Sequence, residues 1–289
     1  MFDWQATGIS TNGRQSGEFK AVCPQCSAQR KKSHDKCLSV NLTDGVWNCW
    51  HCGWTGKAEK VRGYQAVQHW ERPQKVYKKP TYKPTGEPQG EKLLQWFASR
   101  GIPADIVNRH KIEASNAWMP QTSQEERVIV FPYFRDGQVV NAKYRTADKL
   151  FKMDKDAERC LYGIDDIGDS EDLIIVEGEI DKLAIEVAGL TNCVSVPNGA
   201  DSDLDCLAAD EKRLAHVKRF FLAVDEDEKG QKLQAKLVSR LGRDRCWVVK
   251  WPVNCKDADE VLMTHGAERV ALAITEAKPI PIEGAFEIE

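Results

Sequence analysis

The amino-acid sequence predicts an α/β protein in which a small cysteine-rich unit and a mixed α+β segment precede a parallel α/β core. From residue 172 onward, short apolar runs alternate with segments of helical period, which is typical of a parallel sheet with crossover helices. Ahead of this core, two strand-like runs flank the turn signal Arg135-Asp136-Gly137 and predict a hairpin. Half of the ten cysteines lie within the first 52 residues. The 289 residues suffice for roughly two domains.

The bulk composition is that of a globular protein, at 42% hydrophobic and 29% charged residues. No apolar run approaches the roughly 20 residues that a membrane helix needs. The opening stretch MFDWQATGIS lacks the basic and apolar regions of a signal peptide. We therefore expect a cytoplasmic protein.

Two C-x-x-C pairs define the first unit, which we place at residues 1–64. Cys23 and Cys26 form one pair, and Cys49 and Cys52 form the other. Such pairs bring four thiolates to one ion at tetrahedral angles, and a set of four cysteines is a closed structural zinc site. The sequence therefore predicts one Zn²⁺ on these four residues.

The stretch CLSVNLTDGVWNC predicts two short strands around Asp44-Gly45, so the unit is predicted to be a zinc ribbon. His34, Cys37 and His51 are spare ligands, and Cys37 is a rival that would have to displace one of the four thiols. In a reducing compartment, scattered cysteines are small core residues. That interpretation applies to Cys160, Cys193, Cys206, Cys246 and Cys255.

Cations and aromatic rings accompany the cysteine pairs. They are Arg30, Lys31, Lys32 and Lys36 in one loop, and Trp47, Trp50 and Trp54 around the second pair. Such groups contact the phosphates and unpaired bases of single strands, so we predict a DNA-binding ribbon, although some tryptophans must serve as core. Two alternatives are a structural zinc without a binding role and a redox pair. Redox C-x-x-C motifs, however, occur singly.

Charge is unevenly distributed along the chain. Residues 1–92 contain 15 lysines and arginines against 8 acidic residues, a charge of +7, whereas the whole chain carries −3 and the remainder therefore −10. A basic first part suits a polyanionic partner. Residues 65–90 contain four prolines among lysines and tyrosines and are predicted to be a linker, either a solvated tether or a segment that follows nucleic acid.

Residues 91–169 are predicted to form the mixed α+β segment. A helix covers residues 91–110 in two parts, with Pro103 in the first turn of the second part. The runs RVIVFPYF and QVVNAKYRT are the strands of the hairpin.

Residues 170–265 are predicted to form the parallel core. Its strands are LIIV, CVSV, RFFLAV and CWVV, each followed by a helix. Leu233, Leu237 and Leu241 recur at helical spacing as one buried stripe. Residues 266–289 contain prolines and acids, and we expect a C-terminal tail or linker there.

Acidic residues follow three of the predicted parallel strands. Glu177 follows the first strand, Asp225 and Asp227 follow FFLAV, and Asp257 and Asp259 follow the strand ending near residue 252. Open α/β sheets bind ligands at this edge, and clustered carboxylates suit Mg²⁺ or Mn²⁺. For any single aspartate, the alternative role is that of a helix N-cap, and this alternative applies most strongly to Asp181 and Asp259.

The runs LIIVEGEIDKLA and FFLAVDEDEKG resemble the TOPRIM domain, whose signature is Glu-Gly after one strand and Asp-x-Asp after another. With a four-cysteine ribbon ahead of them, the chain resembles DnaG-type primases. It is more similar to the primase half of phage primase–helicases and their Twinkle relatives. The resemblance covers roughly residues 20–265. One departure is the stretch Glu228-Lys229-Gly230, where the family often has a small residue and Gly.

The resemblance implies roles for individual residues. Glu177 matches a metal ligand or proton acceptor, Asp225 and Asp227 match the Mg²⁺- or Mn²⁺-binding pair, and Asp257 matches a third acid. Lys143 and Arg145 resemble the basic motif that binds nucleotide phosphates, and Lys152 is a weaker match. The alternative for these three is a solvated strand face.

The implied activity is that of a DNA primase, which joins nucleoside triphosphates into short RNA primers on single-stranded DNA. The implied partners are the template, the nucleotides and a replicative helicase in cis or in trans, in a bacterial or phage-infected cell. No G-x-x-x-x-G-K-[ST] motif is present, so the chain contains no P-loop. The alternatives are a TOPRIM nuclease or topoisomerase fragment, and a non-catalytic single-strand-binding module.

Overall fold

The protein is described by a computed structural model, which covers residues 2–14, 16–59, 76–84, 90–199 and 204–281. The chain divides into two compact units, Met1–Lys75 and Val76–Glu289. Within these described ranges, none of the helices combines the length and the apolar character that crossing a membrane requires.

The first unit is built on a four-stranded antiparallel sheet in the order β1-β2-β3-β4. The predicted pair of strands around Asp44-Gly45 is confirmed, and one further strand lies on each side. Trp47 fills the small core, and a Cβ atom at Gly56 would come within 2.4 Å of its ring, so only glycine fits there. The strands are β1 (Glu18–Ala21), β2 (Leu38–Asn41), β3 (Val46–Cys49) and β4 (Thr55–Lys57).

The second unit begins with two short helices and an antiparallel sheet in the order β5-β6-β7-β8. The predicted hairpin is confirmed, because Arg135 pairs with Gln138 and the turn residues Asp136 and Gly137 have φ angles of 52° and 72°. The elements are α1 (Glu91–Ala98), α2 (Ala104–Arg109), β5 (Glu113–Met119), β6 (Gln124–Arg135), β7 (Gln138–Thr146) and β8 (Phe151–Met153).

Part of the predicted linker packs on this sheet. The backbone N–H of Lys78 donates to the carbonyl of Asp156 at 3.0 Å, and Thr81 donates twice to the Asp154 carboxylate at 2.8 Å. Tyr82 packs against the same sheet. A fully solvated tether is therefore wrong at Lys78, Thr81 and Tyr82, while residues 65–75 and 85–89 lie outside the described residues.

The parallel sheet predicted from strand–helix alternation is confirmed. Its order is β10-β9-β11-β12-β13, with the first four strands parallel. The strands are β9 (Asp172–Val176), β10 (Cys193–Ser195), β11 (Arg219–Ala223), β12 (Cys246–Val248) and β13 (Lys278–Pro279). The helices are α3 (Glu179–Val187), α4 (Asp205–Ala209), α5 (Glu211–Leu214), α6 (Glu228–Leu241), α7 (Ala258–His265) and α8 (Ala267–Thr275).

The tail predicted at residues 266–289 differs from the structure. Helix α8 buries Val270, Ala273 and Ile274, and β13 pairs antiparallel with β12. The run AERVALAIT has the apolar spacing of an amphipathic helix, but the prolines and acids around it obscured that pattern. Residues 282–289 lie outside the described residues.

One hydrophobic core joins α1 and α2 to the parallel sheet. Leu233 and Leu237 of the predicted stripe are fully buried in it. The five scattered cysteines are also buried, as predicted for small core residues.

Buried ion pairs join the front part of this core, residues 91–169, to the sheet part, residues 170–281. Four carboxylates of the sheet part, each with a side chain less than a tenth exposed, pair with cations of the front part. The pairs are Arg100–Asp259, Arg109–Glu186, Arg135–Asp210 and Lys143–Glu179.

Candidate functional site

Acidic residues converge at the carboxyl edge of the parallel sheet. Glu177 follows the end of β9 directly, and Asp225 lies two residues beyond β11. Asp257, which begins α7, is brought beside them because the backbone N–H of Glu226 donates to the carbonyl of Lys256 at 2.9 Å. Since β9, β11 and β12 are neighbours, three predicted acidic positions meet at one place.

The carboxylates of this edge repel one another. Burial, followed by the negative charges of Glu177 and Asp257, raises the pKa of Asp225 to about 7. The ammonium of Lys256 opposes this effect, because its Nζ atom lies 3.7 Å from Asp225 and 3.1 Å from Asp257. An excess of negative charge that one lysine does not offset is the condition under which a divalent cation binds.

Asp227 and Asp257 each cap a helix. An oxygen of Asp227 accepts from the backbone N–H of Gly230 at 2.9 Å, and one of Asp257 accepts from that of Glu260 at 2.8 Å. From sequence, we expected Asp181 and Asp259 to be the acids that act most readily as simple N-caps. That expectation is wrong, because Asp227 and Asp257 are the capping residues here. Each cap uses one carboxylate oxygen, and the other oxygen of Asp257 lies 3.1 Å from the Lys256 ammonium.

Gly230 explains the departure of Glu228-Lys229-Gly230 from the resembled motif. A Cβ atom at this position would lie 1.9 Å from the backbone oxygen of Asp225. Helix α6 thus approaches the Asp225 loop so closely that no larger residue fits. The structure therefore requires a glycine at this position.

Asp181 is a member of the cluster that sequence reasoning did not assign. Burial, followed by the charges of Asp257, Asp225 and Asp259, raises its pKa well above the ordinary value. One of its oxygens accepts from the backbone N–H of Asp259 at 3.2 Å. Its spacing of four residues from Glu177, one turn into α3, was the available signal.

Lys143 and Arg145 lie on β7 with 9% and 8% of their surfaces exposed, so the alternative of a solvated strand face is wrong for them. Lys143 Nζ lies 2.9 and 3.0 Å from the two oxygens of Glu179, whose carboxylate also accepts from Tyr133. Glu179 was not predicted. The third basic candidate, Lys152, packs its ammonium 4.5 Å from the ring of Tyr144.

The Arg145 guanidinium lies 5.1 Å from the ring centre of Trp96, and that of Arg100 lies 5.0 Å from the same ring. Burial, followed by the charge of Arg100, lowers the pKa of Arg145. Arg100 is neutralised by Asp259, whereas the described residues include no ion-pair partner within 4.0 Å of Arg145. The carboxylates whose charges act on Arg145 are those of Asp259 and Glu179, each of which pairs with another cation.

In the first unit, four predicted sulphur atoms come together. Cys23 lies 3.8 Å from Cys52, Cys26 lies 3.9 Å from Cys49, and all four sulphurs lie within 4.8 Å of one another. Tetrahedral bonds of about 2.3 Å to one zinc ion would space the sulphurs by roughly 3.8 Å. Burial raises the pKa of Cys49, but hydrogen bonds from the backbone N–H groups of Cys52 and His51 outweigh this effect and lower the pKa to about 6. The four thiols are compatible with zinc.

The three tryptophans of this unit differ in exposure. Trp47 is buried, and the Trp54 ring packs on it at a centre-to-centre distance of 5.0 Å. Trp50 is 77% exposed, and its indole N–H donates to Ser39 at 3.1 Å. Only Trp50 of the three therefore presents an open ring to solvent.

Comparisons with known proteins are consistent with these observations. Residues 174–262 match the Toprim-like family. An Arabidopsis thaliana primase homolog protein is 34% identical over 290 residues, which covers 91% of this chain and 82% of that protein. The Arabidopsis Twinkle homolog protein, named as chloroplastic and mitochondrial, is 35% identical over 303 residues and 96% of this chain, and the chain spans only 41% of that protein's length.

The fold also has a solved counterpart. The primase fragment of the bacteriophage T7 primase–helicase superposes with a TM-score of 0.53 at 21% identity. The match covers 89% of this chain and 99% of the phage fragment. The likeness supports the α/β fold of this chain.

Proposed function

This chain belongs to the TOPRIM-type primase family, and we propose that it synthesises short RNA primers on single-stranded DNA by metal-dependent nucleotidyl transfer. The observation that supports the activity most directly is the convergence of Glu177, Asp225 and Asp257, whose charges raise the pKa of Asp225 to about 7. Mutually repelling acids suit the metal ions of a nucleotide.

Glu177, Asp225, Asp227 and Asp257 would hold Mg²⁺ or Mn²⁺. Bound there, the metal would activate the attacking 3′-hydroxyl and neutralise the departing pyrophosphate. The residues fit this role chemically, because oxygen ligands with excess negative charge are what these ions prefer. The two aspartates that cap helices are fixed by those caps, which reduces the entropy lost when a cation binds.

Arg145 and Lys143 would bind the triphosphate. The planar guanidinium of Arg145 can donate two hydrogen bonds to phosphate oxygens, and its partial burial strengthens them. The ammonium of Lys143 is held between the two oxygens of Glu179, so it has a fixed position before the nucleotide arrives. Phosphoryl transfer depends mainly on such positioning and charge neutralisation.

The first unit would hold one Zn²⁺ on Cys23, Cys26, Cys49 and Cys52 and would contact the template. The exposed ring of Trp50 can stack on a base, and the exposed lysines of the 30–36 loop can approach phosphates. A replicative helicase, in cis or in trans, is the proposed partner because the similar T7 structure is a fragment of a primase–helicase.

A primer-synthesis assay tests the proposal. Full-length protein, single-stranded DNA of varied sequence and labelled nucleotides are incubated with Mg²⁺ or Mn²⁺, and short RNA products are resolved on gels. We expect Asp225→Ala and Asp227→Ala to abolish synthesis. Asp244→Ala, a change in an exposed acid before the start of β12, is the matched control and should leave synthesis unchanged. Cleavage of the DNA in place of synthesis would favour a nuclease.

A further inference from the structure

The first unit contains a fifth thiol beside the four proposed zinc ligands. Cys37 Sγ lies 3.6 Å from Cys49 Sγ and 4.0 Å from Cys26 Sγ. These distances bracket those between the proposed ligands themselves, 3.8 Å for Cys23–Cys52 and 3.9 Å for Cys26–Cys49. Cys37 thus stands at a ligand's spacing from two of the four sulphurs.

The backbone fixes Cys37 in this place. Cys37 immediately precedes β2, whose first residue Leu38 pairs with Cys49 across the sheet. Its carbonyl accepts from the backbone N–H of Trp50 at 3.0 Å, so it is tied to the second cysteine pair. On the other side, the guanidinium of Arg30 donates to its sulphur at 3.0 Å, and Asp35 holds that guanidinium at 3.1 Å.

The four proposed ligands differ in accessibility. Cys23, Cys26 and Cys49 are 0%, 8% and 1% exposed, whereas Cys52 is exposed and Cys37 is half-buried. Cys52 is therefore the thiol that solvent reagents reach first. If it leaves, Cys26 and Cys49 stay beside Cys37, and the buried Cys23 completes a set of four.

We propose that Cys37 is a reserve zinc ligand that replaces Cys52. The inference rests on the proposed zinc site and adds a second ligand set, Cys23, Cys26, Cys37 and Cys49. The exchange keeps four zinc–sulphur bonds: the Cys37 thiol gives up its proton on binding the ion, and the departing Cys52 thiolate takes one up. Loss or modification of Cys52 alone then leaves the metal in place, and Cys52 can react without release of zinc.

Metal content of full-length variants tests the exchange. We expect about one zinc per chain in wild type, in Cys37→Ser and in Cys52→Ser, and none after gel filtration in Cys37→Ser/Cys52→Ser. Zinc absent from wild type would overturn the proposed zinc site itself. Zinc present in wild type but lost from Cys52→Ser to the same extent as from the double variant would overturn only the reserve ligand.

Cobalt substitution distinguishes whether a thiol or a water molecule takes the place of Cys52 on the metal. The thiolate-to-Co²⁺ charge-transfer absorption grows with the number of cobalt–sulphur bonds. We expect Cys52→Ser to keep the wild-type intensity and the double variant to lose it. A fall of about one quarter in Cys52→Ser, with no further change in the double variant, would mean that water replaces the thiol and that Cys37 does not bind.

A measurement on unaltered protein avoids any folding defect of the variants. Zinc-loaded wild type is treated with limiting iodoacetamide, whose iodide is displaced by a thiolate, and modified peptides and bound zinc are quantified together. We expect alkylation of Cys52 first, with the zinc retained. Release of one zinc per alkylated Cys52 would contradict the proposal.

Discussion

Arg100 and Asp259 form a two-point ion pair that fastens the end of α1 to the first turn of α7. Arg100 Nε lies 3.1 Å from one oxygen of Asp259, and an Nη atom donates to the other. Asp259 retains only 7% of its side-chain exposure, so its charge depends on this partner. Burial raises the pKa of Asp259, and Arg100 opposes that rise. The pair fixes α7, whose N-cap is Asp257, against the front part of the core.

Removal of Arg100 should therefore be costly. We expect Arg100→Ala to lower the free energy of unfolding by about 3 kcal/mol, because it leaves a buried carboxylate without its counterion. The matched control is Arg269→Ala, which breaks an exposed pair with Glu276 and should cost less than about 0.5 kcal/mol. Urea unfolding at pH 7 measures both. Equal losses in the two variants would show that Asp259 does not need Arg100.

The second prediction concerns Asp225 and pH. The pKa of Asp225 is about 7 in the folded, metal-free protein, against an ordinary value of 3.8. As pH rises, the unfolded chain therefore loses this proton before the folded protein does. The free energy of unfolding consequently falls between about pH 4 and about pH 7. Asp225→Asn removes this pH-dependent loss of stability, because the amide does not ionise. We expect the variant to be more stable than wild type in EDTA at pH 8, by up to about 4 kcal/mol, and no more stable at pH 4.

Metal addition provides the counterpart of this experiment. We expect Mg²⁺ or Mn²⁺ to raise the Tm of wild type at pH 8 and to have a smaller effect on Asp225→Asn, because the carboxylate that gains from the cation is gone. Thermal unfolding followed by circular dichroism gives both quantities. A variant that is no more stable than wild type in EDTA at pH 8 would contradict the repulsion described for this edge.

The third prediction concerns Glu186, which binds the fully buried Lys182. Despite burial, the hydrogen bond to His110 and the charge of Lys182 lower the pKa of Glu186 to about 2 from an ordinary 4.5. The stability that ionised Glu186 contributes is fully present above pH 4.5 and is lost as pH falls towards 2. Glu186→Gln should thus cost about 3 kcal/mol at pH 7 and progressively less below pH 4.5.

The chain offers a control with the same sequence spacing. Glu228 and Lys232 also form a pair four residues apart on a helix, but both side chains are exposed. Glu228→Gln should change the free energy of unfolding by less than about 0.5 kcal/mol at any pH. Urea titrations between about pH 2 and pH 7 compare the two variants across the range in which Glu186 takes up its proton. A pH-independent loss in Glu186→Gln would mean that packing, rather than charge, explains its effect.

The fourth prediction concerns Trp50. If its exposed ring stacks on a template base, Trp50→Ala should weaken binding of single-stranded DNA by 1–3 kcal/mol, on the order of ten- to a hundredfold. Trp118→Ala, at a 55% exposed tryptophan of the second unit, is the control and should bind normally. Fluorescence anisotropy with a labelled oligonucleotide measures both, and an unchanged salt dependence is expected because neither change removes a charge. Equal affinity in all three proteins would exclude stacking on Trp50.

Local sequence patterns predicted the hairpin at Asp136-Gly137, the parallel strands and the thiol cluster, because turn signals, apolar periods and C-x-x-C spacing act over a few residues. The contacts that were missed join residues far apart in the chain. Lys143 and Glu179 are 36 positions apart, and Arg100 and Asp259 are 159 apart. No local pattern reveals such a partner, so neither Glu179 nor the pairing of Asp259 with Arg100 was predicted.

The sequence prediction of which aspartates act as N-caps was wrong for a related reason. Asp181 and Asp259 occupy first-turn positions, where aspartate is common at helix starts in general. Whether such a residue caps the helix or turns into the core depends on what surrounds it, and here the surroundings are other acids and Arg100. The metal-binding roles of Glu177, Asp225, Asp227 and Asp257 stay predictions that the assays above address.

The four buried pairs between the front part and the sheet part have a consequence for recombination. In each of them the cation comes from residues 91–169 and the carboxylate from residues 170–281. A sheet part joined to a foreign front part would bury up to three anions, Glu179, Asp210 and Asp259, without these counterions, each at a cost of several kcal/mol, whereas Glu186 would keep Lys182. Because a folded protein has only about 5–15 kcal/mol to lose, such a chimera would not fold. The two parts must therefore be inherited and engineered together, with exchange between relatives restricted to donors that conserve these cations.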